Sequence, residues 1–384
     1  MGEDCISFKA IVAQQPQQFA NIARRSMRLV QYGKPFQLAK EEVPTAPKGG
    51  AVVKTEYAGV CHSDVHAADG DLLKFIPLDI VGVILGHEIA GTVSDIDPSA
   101  DLKVGDRVVV YWTGGCGECK RCEVGQTIAC LNNVKHWAGI NEDGGFSDYV
   151  VIPDARLLVK VPATVAMDTA CLLPCSALTA YNAVSTIVPT VEDFAKYSDD
   201  CAVLLVGAGG LGLWGVQFAK QLLPAGVRVI CADINEEKLA AAREAGCDDV
   251  LLWSNGVDDV TAVAATQKVC GSLGAAVAAI DFVNVPETFE RLQKIMAEGG
   301  VHALVGLFGV DAPATVPLFP FVAGRHTVTG VAIGSLPQLR DVMSLVAQGK
   351  VKPPPISHHP LENVYDVIQE LKAGKVKGRA VVKF

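Results

Sequence analysis

Between residue 27 and about residue 155, short β-rich runs at 51–57, 89–93, 107–111 and 147–152 alternate with clusters of Gly, Pro and Asp. That rhythm predicts an all-β unit. From about Ala202 the period changes. Apolar strands at 202–206, 228–232, 276–282 and 301–307 alternate with helical patterns that include 236–245 and 287–296, which predicts βαβ units around a parallel sheet. After about Ile333 the pattern is mixed: Pro353-Pro354-Pro355 interrupts it before a last helix and a strand ending at Phe384, a segment that returns to the first unit. The first 26 residues, rich in Gln, precede the first strand-like run at Met27 and read as an extension in the form of a disordered tail.

Composition narrows the class. Half of the 384 residues are hydrophobic and 20% are charged, enough apolar side chain for more than one buried core. A formal charge of −9, from 33 basic and 42 acidic residues, gives no footprint for a phosphate backbone or an anionic bilayer, so nucleic acid and membrane partners are not expected. Two uncharged runs, 169–191 and 201–219, approach the length of a spanning helix. Pro174, Asn182 and Pro189 interrupt the first and five glycines the second, so neither reads as a span. Twelve cysteines fall well short of the roughly 8–10% that marks a disulfide scaffold, and no secretory segment opens the chain. A cytoplasmic protein with thiolate chemistry is the expectation. Ile6 breaks a myristoylation pattern, and Glu3 and Asp4 argue against a mitochondrial presequence.

The strand 203–206 runs into Gly207-Ala208-Gly209-Gly210-Leu211-Gly212 and then into an apolar helix. This is the G-x-G-x-x-G turn in its strand-turn-helix setting, where the glycines allow a tight turn and a close approach of backbone to pyrophosphate, and the helix N-terminus receives the anion. Asp233 follows Gly212 by 233 − 212 = 21 residues, at the end of the next strand. A carboxylate there accepts from an adenosine ribose and repels a 2′-phosphate, which favours NAD over NADP. The rival role for Asp233 is a helix N-cap, which Asn235 can fill instead.

Cys116, Cys119, Cys122 and Cys130 make C-x2-C-x2-C-x7-C in the Gly-rich segment 114–132. Four thiolates on a short polar loop suit a closed tetrahedral zinc; an Fe–S cluster is the chemical alternative. A second, dispersed set comprises Cys61-His62-Ser63-Asp64-Val65-His66, Gly86-His87-Glu88 and Cys175. Together they offer two thiolates and an imidazole, with the carboxylates of Asp64 and Glu88 beside them, which fits a zinc with one open position.

With these motifs in order, the chain from Met27 to Phe384 resembles the zinc-dependent alcohol dehydrogenases of the medium-chain dehydrogenase/reductase superfamily. The resemblance implies a GroES-like, mostly β catalytic domain (27–176 and 333–384) and an α/β Rossmann domain (177–332) with a parallel six-stranded sheet, with substrate held between them. It implies Cys61, His87 and Cys175 as catalytic zinc ligands, with Cys171 as the rival to Cys175, and the four-cysteine loop as a structural zinc site. His62 and Arg379 resemble pyrophosphate contacts, Lys238 a contact near the adenosine ribose, and Val305 a backbone contact to the nicotinamide carboxamide. Ser63 resembles the hydroxyl that takes the alcohol proton and passes it, through the nicotinamide ribose, to His66 at the surface. Trp112 stands where an aromatic residue walls the substrate pocket, and Leu72 where small-substrate members often carry a second Trp. The implied activity is NAD-dependent, zinc-catalysed interconversion of an alcohol, primary with a medium or aromatic tail, and its aldehyde or ketone. The 175 − 87 = 88 residue spacing from His87 to Cys175 resembles the homotetrameric branch. The chain departs from the pattern in its N-terminal extension and in a segment, 186–200, that looks several residues long. The alternatives are a non-catalytic superfamily member with a structural or regulatory role, or a zinc-independent reductase.

Overall fold

The computed structural model describes residues 23–71, 79–254, 256–307 and 312–384. Leu72 and nearly all of the proposed N-terminal tail lie outside them. The first strand, Ala23–Arg28, begins four residues before Met27, so the extension as drawn from the sequence is too long. Its signal is masked by charge. Arg24 and Arg28 both pair with Glu41 of the neighbouring strand Gln37–Glu42, at 2.7 and 2.6 Å, and Arg25 pairs with Asp148 at 2.9 Å. Ion pairs rather than apolar alternation stitch this edge, and a hydrophobic pattern does not register them.

The β-rich part forms a seven-stranded sheet. Its order is Ile356–Pro360, Arg379–Lys383, Ala51–Gly59, Glu88–Ile96, Arg107–Val110 and Leu158–Lys160, with Tyr149–Ile152 paired to Ala51–Gly59 off that path. The C-terminal strand pairs antiparallel with Ala51–Gly59, Val381 opposite Gly59, so the end of the chain closes the unit that its beginning opens. Beneath it, Leu29, Ile84, Leu85 and Phe146 pack with Val364 and Ile368 of the helix Val364–Lys372.

The second part is a Rossmann unit. Six parallel strands run in the order Asp249–Leu252, Arg228–Asp233, Ala202–Val206, Ala276–Asp281, Met296–Leu304 and Thr327–Gly330. All five residues of Ala202–Val206 are buried, as a parallel strand covered on both faces requires. The strand order reverses between Ala202–Val206 and Ala276–Asp281, and a crevice opens past their carboxyl ends. One strand differs from the sequence reading. The strand predicted at 301–307 starts at Met296, and the helix predicted over 287–296 stops at Gln293. Gly299 and Gly300 interrupt the apolar run where the register slips between Ala276 and Ala278, so the early residues lack a strand signature.

The run 169–191 becomes mostly the helix Leu178–Ala195, which continues through Pro189, with the Ser185 and Thr186 hydroxyls donating to the Tyr181 and Asn182 carbonyls. No helix among the described residues is long and apolar enough to cross a membrane. The chain leaves the Rossmann sheet through Ile333, whose φ of 44° is unusual for a β-branched residue. The Asn182 amide donates to the Ile333 carbonyl and the Tyr111 hydroxyl to that of Gly334, which hold the crossing in place.

Phe218, fully buried, stacks on Trp214 and meets Tyr181 edge-on with ring centroids 5.3 Å apart, which locks Gly210–Leu222 against Leu178–Ala195. Phe218→Ala is expected to cost about 3–5 kcal/mol through the cavity it leaves. A shift of the chemical denaturation midpoint to lower denaturant checks this.

Candidate active site

Cys61 follows the strand Ala51–Gly59 and stands at the N-cap of the helix His62–Asp69. Asp64, wholly buried, accepts from the Cys61 N–H at 2.8 Å and from the Gly86 N–H at 3.2 Å, and its Oδ1 lies 3.5 Å from Nδ1 of His87. One carboxylate therefore fixes the backbone at two separate ligand segments. Cys175 arrives from elsewhere, on the π-helical turn Leu173–Ala177 that leads into Leu178–Ala195. The ligating atoms of Cys61, His87, Glu88 and Cys175 lie within 4.8 Å of one another, all buried. Neither ring nitrogen of His87 has a hydrogen-bond partner, although both are shut off from solvent. Such a group is costly unless one nitrogen ligates a metal, and two thiols with an imidazole are the donor set zinc prefers. Cys171 is not part of this group: its Sγ lies 3.1 Å from the Asp168 carbonyl, and burial pushes its thiol well up.

The electrostatics are those of a cation site. Hydrogen bonding with Cys175 lowers the Cys61 thiol well below its ordinary range, and the same contact raises Cys175. Burial works against a charged His87, but the Asp64 carboxylate and Cys61 outweigh it and hold the imidazole well above its usual value. Glu88 is pushed up to about 7 by burial, against the pull of Arg379, whose guanidinium donates to Glu88 Oε2. Its other oxygen accepts from the Ser176 N–H at 3.2 Å.

The second cysteine set is built differently. Cys116 Sγ lies 3.9 Å from Cys122 Sγ, and Cys119 Sγ 4.0 Å from Cys130 Sγ. A disulfide needs about 2.05 Å, whereas four sulfurs each about 2.3 Å from a central zinc stand about 3.8 Å apart. The N–H groups of Cys116, Cys119 and Leu131 donate to Cys130, Cys116 and Cys119 sulfurs at 3.4–3.5 Å. Backbone donation lowers Cys119 to about 6 and also lowers Cys130, while burial raises Cys122 to about 12.

The crevice above the Rossmann strands has a volume of about 690 Å3 and is lined by His62, Gly207, Gly209, Gly210, Leu211, Gly212, Asp233 and Lys238. Gly207 turns with φ of 97°, and a Cβ on Gly212 would sit 1.9 Å from the Gly207 carbonyl oxygen. At Gly209 a Cβ would meet nothing within 4 Å, so the missing side chain leaves a cradle at the helix N-terminus. Asn235 takes the N-cap, accepting from the Lys238 N–H at 3.1 Å. Asp233 instead accepts from the Ala208 and Asn235 N–H groups at 2.7 and 2.9 Å, which aims it at the turn. Arg379 is buried; its side chain passes against Gly210, and its Nε lacks a partner. Val305 is buried with its N–H already donated to the Asp281 carbonyl, which leaves its carbonyl side for the expected contact.

Ser63 Oγ lies 3.9 Å from Cys61 Sγ, inside the metal group's surroundings. His66 departs from expectation. Its side chain is only 12% exposed, tucked against Asp71 with Nδ1 3.2 Å from Oδ2, because the helix His62–Asp69 turns that face inward. The Trp112 ring packs on the His87 imidazole with centroids 4.8 Å apart. Trp137 meets Trp112 edge-on at 6.2 Å, an aromatic neighbour that the sequence reading missed; the one local signal was its place just after the cysteine loop. Asp71, too, carried no motif.

Residues 47–163 match the Alcohol dehydrogenase GroES-like domain family and residues 210–348 the Zinc-binding dehydrogenase family. The chain is 34% identical over 365 residues to an NAD-dependent alcohol dehydrogenase of Sulfurisphaera tokodaii, covering 93% of this chain and 99% of that protein. The chain belongs to the zinc-type medium-chain alcohol dehydrogenases. An alcohol dehydrogenase of Geobacillus stearothermophilus is 32% identical, over 92% of this chain and 97% of its own. Among solved structures, the alcohol dehydrogenase of Aeropyrum pernix superposes with a TM-score of 0.83 at 28% identity, covering 94% of this chain and 100% of that one. As a member of this family the chain is an enzyme that interconverts alcohols and carbonyl compounds.

Asp64→Ala removes the shared acceptor of the Cys61 and Gly86 N–H groups together with the carboxylate facing His87. Metal affinity at the buried site is expected to fall about 10- to 100-fold. Metal content after dialysis against graded chelator, compared with the unmodified protein, measures it.

Proposed function

We propose that this enzyme oxidises primary alcohols with medium-length or aromatic tails, or reduces the matching carbonyls, using NAD and two zinc ions per chain. The observation that carries the reading is the buried His87 imidazole, neither ring nitrogen of which makes a hydrogen bond, held beside two cysteine thiols, while His62, the neighbour of Cys61, lines the crevice that contains Asp233. Cys61, His87 and Cys175 would hold the catalytic ion, and Cys116, Cys119, Cys122 and Cys130 the structural one. When bound, the catalytic ion supplies Lewis acidity toward the substrate oxygen.

The chain's own residues supply the rest. Asp233 accepts from the adenosine ribose and excludes a 2′-phosphate; His62, Lys238 and Arg379 offset the pyrophosphate charge above Gly207–Gly212; the Val305 carbonyl side orients the carboxamide. Ser63 accepts the alcohol proton and His66 delivers it outward, its ring held by Asp71. The Trp112 and Trp137 rings narrow the space beside His87, which favours a CH2OH group over a branched carbinol. All eleven cysteines among the described residues are free, which supports a reducing, cytoplasmic setting. A homotetramer is supported by the outermost strand Thr327–Gly330 of the Rossmann sheet and by Leu318, Phe319 and Val322, each at least 74% exposed, on the helix just before it.

Elemental analysis of the purified protein is expected to give two zinc per chain. Cys175→Ala is expected to lose one of them together with turnover, and Cys171→Ala neither. One zinc in the unmodified protein, or iron, refutes the assignment. The cofactor assignment is tested by following reduced-cofactor absorbance with a panel of alcohols: kcat/KM with NAD should exceed that with NADP by at least about 100-fold, and Asp233→Gly should narrow the gap by lowering the NAD value and raising the NADP value.

A further inference from the structure

His87 follows the segment 80–86, which runs between the N-terminal strand and the loop 139–146. On one side the Gly82 N–H donates to the Leu29 carbonyl at 2.7 Å and the Leu29 N–H to that of Val83 at 3.1 Å. On the other, the N–H groups of Gly144, Phe146 and Gly145 donate to the carbonyls of Ile84, Leu85 and Gly86 at 2.7, 3.0 and 2.6 Å. A Cβ on Gly139 would lie 2.7 Å from the His87 backbone nitrogen, so the Gly86–His87 peptide rests directly on the backbone of that loop. The Ile84 N–H, three residues ahead of His87, is held by a side chain: it donates to Asp143 Oδ1 at 3.1 Å. Asp143 is itself clamped by Arg28, the last residue of the strand Ala23–Arg28. Nη1 and Nη2 of Arg28 donate to the two oxygens of Asp143, each at 3.1 Å, while Nη1 also donates to the Gly82 carbonyl at 2.6 Å and Nε to Glu41 Oε1 at 2.8 Å.

We propose that Arg28 and Asp143 are positioning residues for the buried metal site: through this pair the N-terminal strand fixes the approach of His87. The inference rests on the zinc reading above and adds a requirement that neither the ligands nor Asp64 supply. Ile84 is fully buried, so its N–H, deprived of Asp143, has no water to turn to and regains a partner only if the backbone shifts. His87 is close enough along the chain to move with it. A zinc ligand tolerates a displacement of only about 0.2 Å, so a small backbone shift is enough to weaken the site. The cysteines arrive by other routes, Cys61 after the strand Ala51–Gly59 and Cys175 on the π-helical turn Leu173–Ala177, so the loss falls on His87 alone. A guanidinium suits this position because its rigid fork meets Glu41, Asp143 and the Gly82 carbonyl at once, which the single nitrogen of a lysine does not.

The test is zinc release from the full-length protein into graded chelator, with Cys175→Ala marking which release step belongs to the buried site. Asp143→Ala and Arg28→Ala are each expected to weaken zinc retention there about tenfold and to leave the four-cysteine ion unchanged. The double variant is expected to lose well short of about a hundredfold, because the two residues act through a shared contact. Arg25→Ala is the control: it removes ion pairs from the same strand, to Asp148 and Glu362, and is expected to change the retention of neither ion. Cobalt placed in the buried site gives a readout that fold stability does not move. A displaced imidazole alters the cobalt absorption bands of Asp143→Ala, whereas a variant that is only less stable gives a weaker copy of the same spectrum. Arg28→Lys, which keeps a charge on the strand and so protects its docking, is expected to show the altered bands as well. Unchanged retention in Asp143→Ala overturns the proposal. So does an unaltered cobalt spectrum, equal weakening of both ions, or the same loss in Arg25→Ala. If Cys175→Ala changes no metal content, the zinc reading itself fails, a result distinct from all of these, and the proposal falls with it.

Discussion

The buried pair of Arg379 and Glu88 joins the parts of the site that come from distant stretches of sequence. Arg379 opens the C-terminal strand, Glu88 follows His87 in the strand that pairs with Ala51–Gly59, and the second oxygen of Glu88 accepts from Ser176, next to Cys175. The aliphatic part of Arg379 runs against Gly210 of the glycine turn. A guanidinium and a carboxylate removed from water are tolerable only when each satisfies the other, because leaving either alone in the interior costs several kcal/mol. The constraint therefore acts as a geometric condition. The C-terminal strand, the segment after Cys175, the strand after His87 and the Rossmann turn must arrive together or not at all.

The two cysteine sites meet different physical problems. Around Cys61, His87 and Cys175 the surroundings are dry, and thiolates can persist there only beside a cation; the contact with Cys61 and then desolvation raise Cys175, desolvation raises Glu88, and the buried Arg379 guanidinium lies against Glu88. Asp64 spends both oxygens on the backbone of the ligand segments, which keeps Cys61 and His87 in place before any ion arrives. Around Cys116, Cys119, Cys122 and Cys130 the loop is short and partly exposed, and backbone N–H groups already point at sulfur. The first arrangement mixes thiol, imidazole and carboxylate donors, and the second presents four like donors.

Between these centres and the crevice the structure uses rigid contacts. The helix Leu178–Ala195 begins just past Cys175, packs through Tyr181 on Phe218 of the helix that follows the glycine turn, and holds the Ile333 crossing through Asn182. The same helix thus adjoins Cys175, packs on the helix that follows the glycine turn and holds the return of the chain to the β unit. Gln217 adds a clamp on the second crossing, with its amide bonded to both the N–H and the carbonyl of Lys352 at 2.8 Å.

What the sequence determined by itself was whatever depends on local spacing. The glycine turn with Asp233 21 residues on, the C-x2-C-x2-C-x7-C loop and the 2.0 and 3.6 residue periods are short-range patterns, and the strands Ala202–Val206 and Arg228–Asp233 and the cysteine cluster stand where those patterns put them. Tertiary structure alone decided what depends on long-range approach. Cys171 and Cys175 are equivalent thiols by composition; the π-helical turn brings Cys175 to His87, while Cys171, at the C-terminal end of the helix Met167–Ala170, is tied to the Asp168 carbonyl. The strand Ala23–Arg28 stayed hidden because its partners are carboxylates as far as 123 residues away, as Asp148 is from Arg25, and not alternating apolar neighbours. His66 looked like a fully exposed base, and only the structure sets its ring, half-buried, against the partly exposed Asp71. Trp137 carries no motif at all, since a ring acquires its role only from the surface it is packed against, and no sequence period encodes which surface that is.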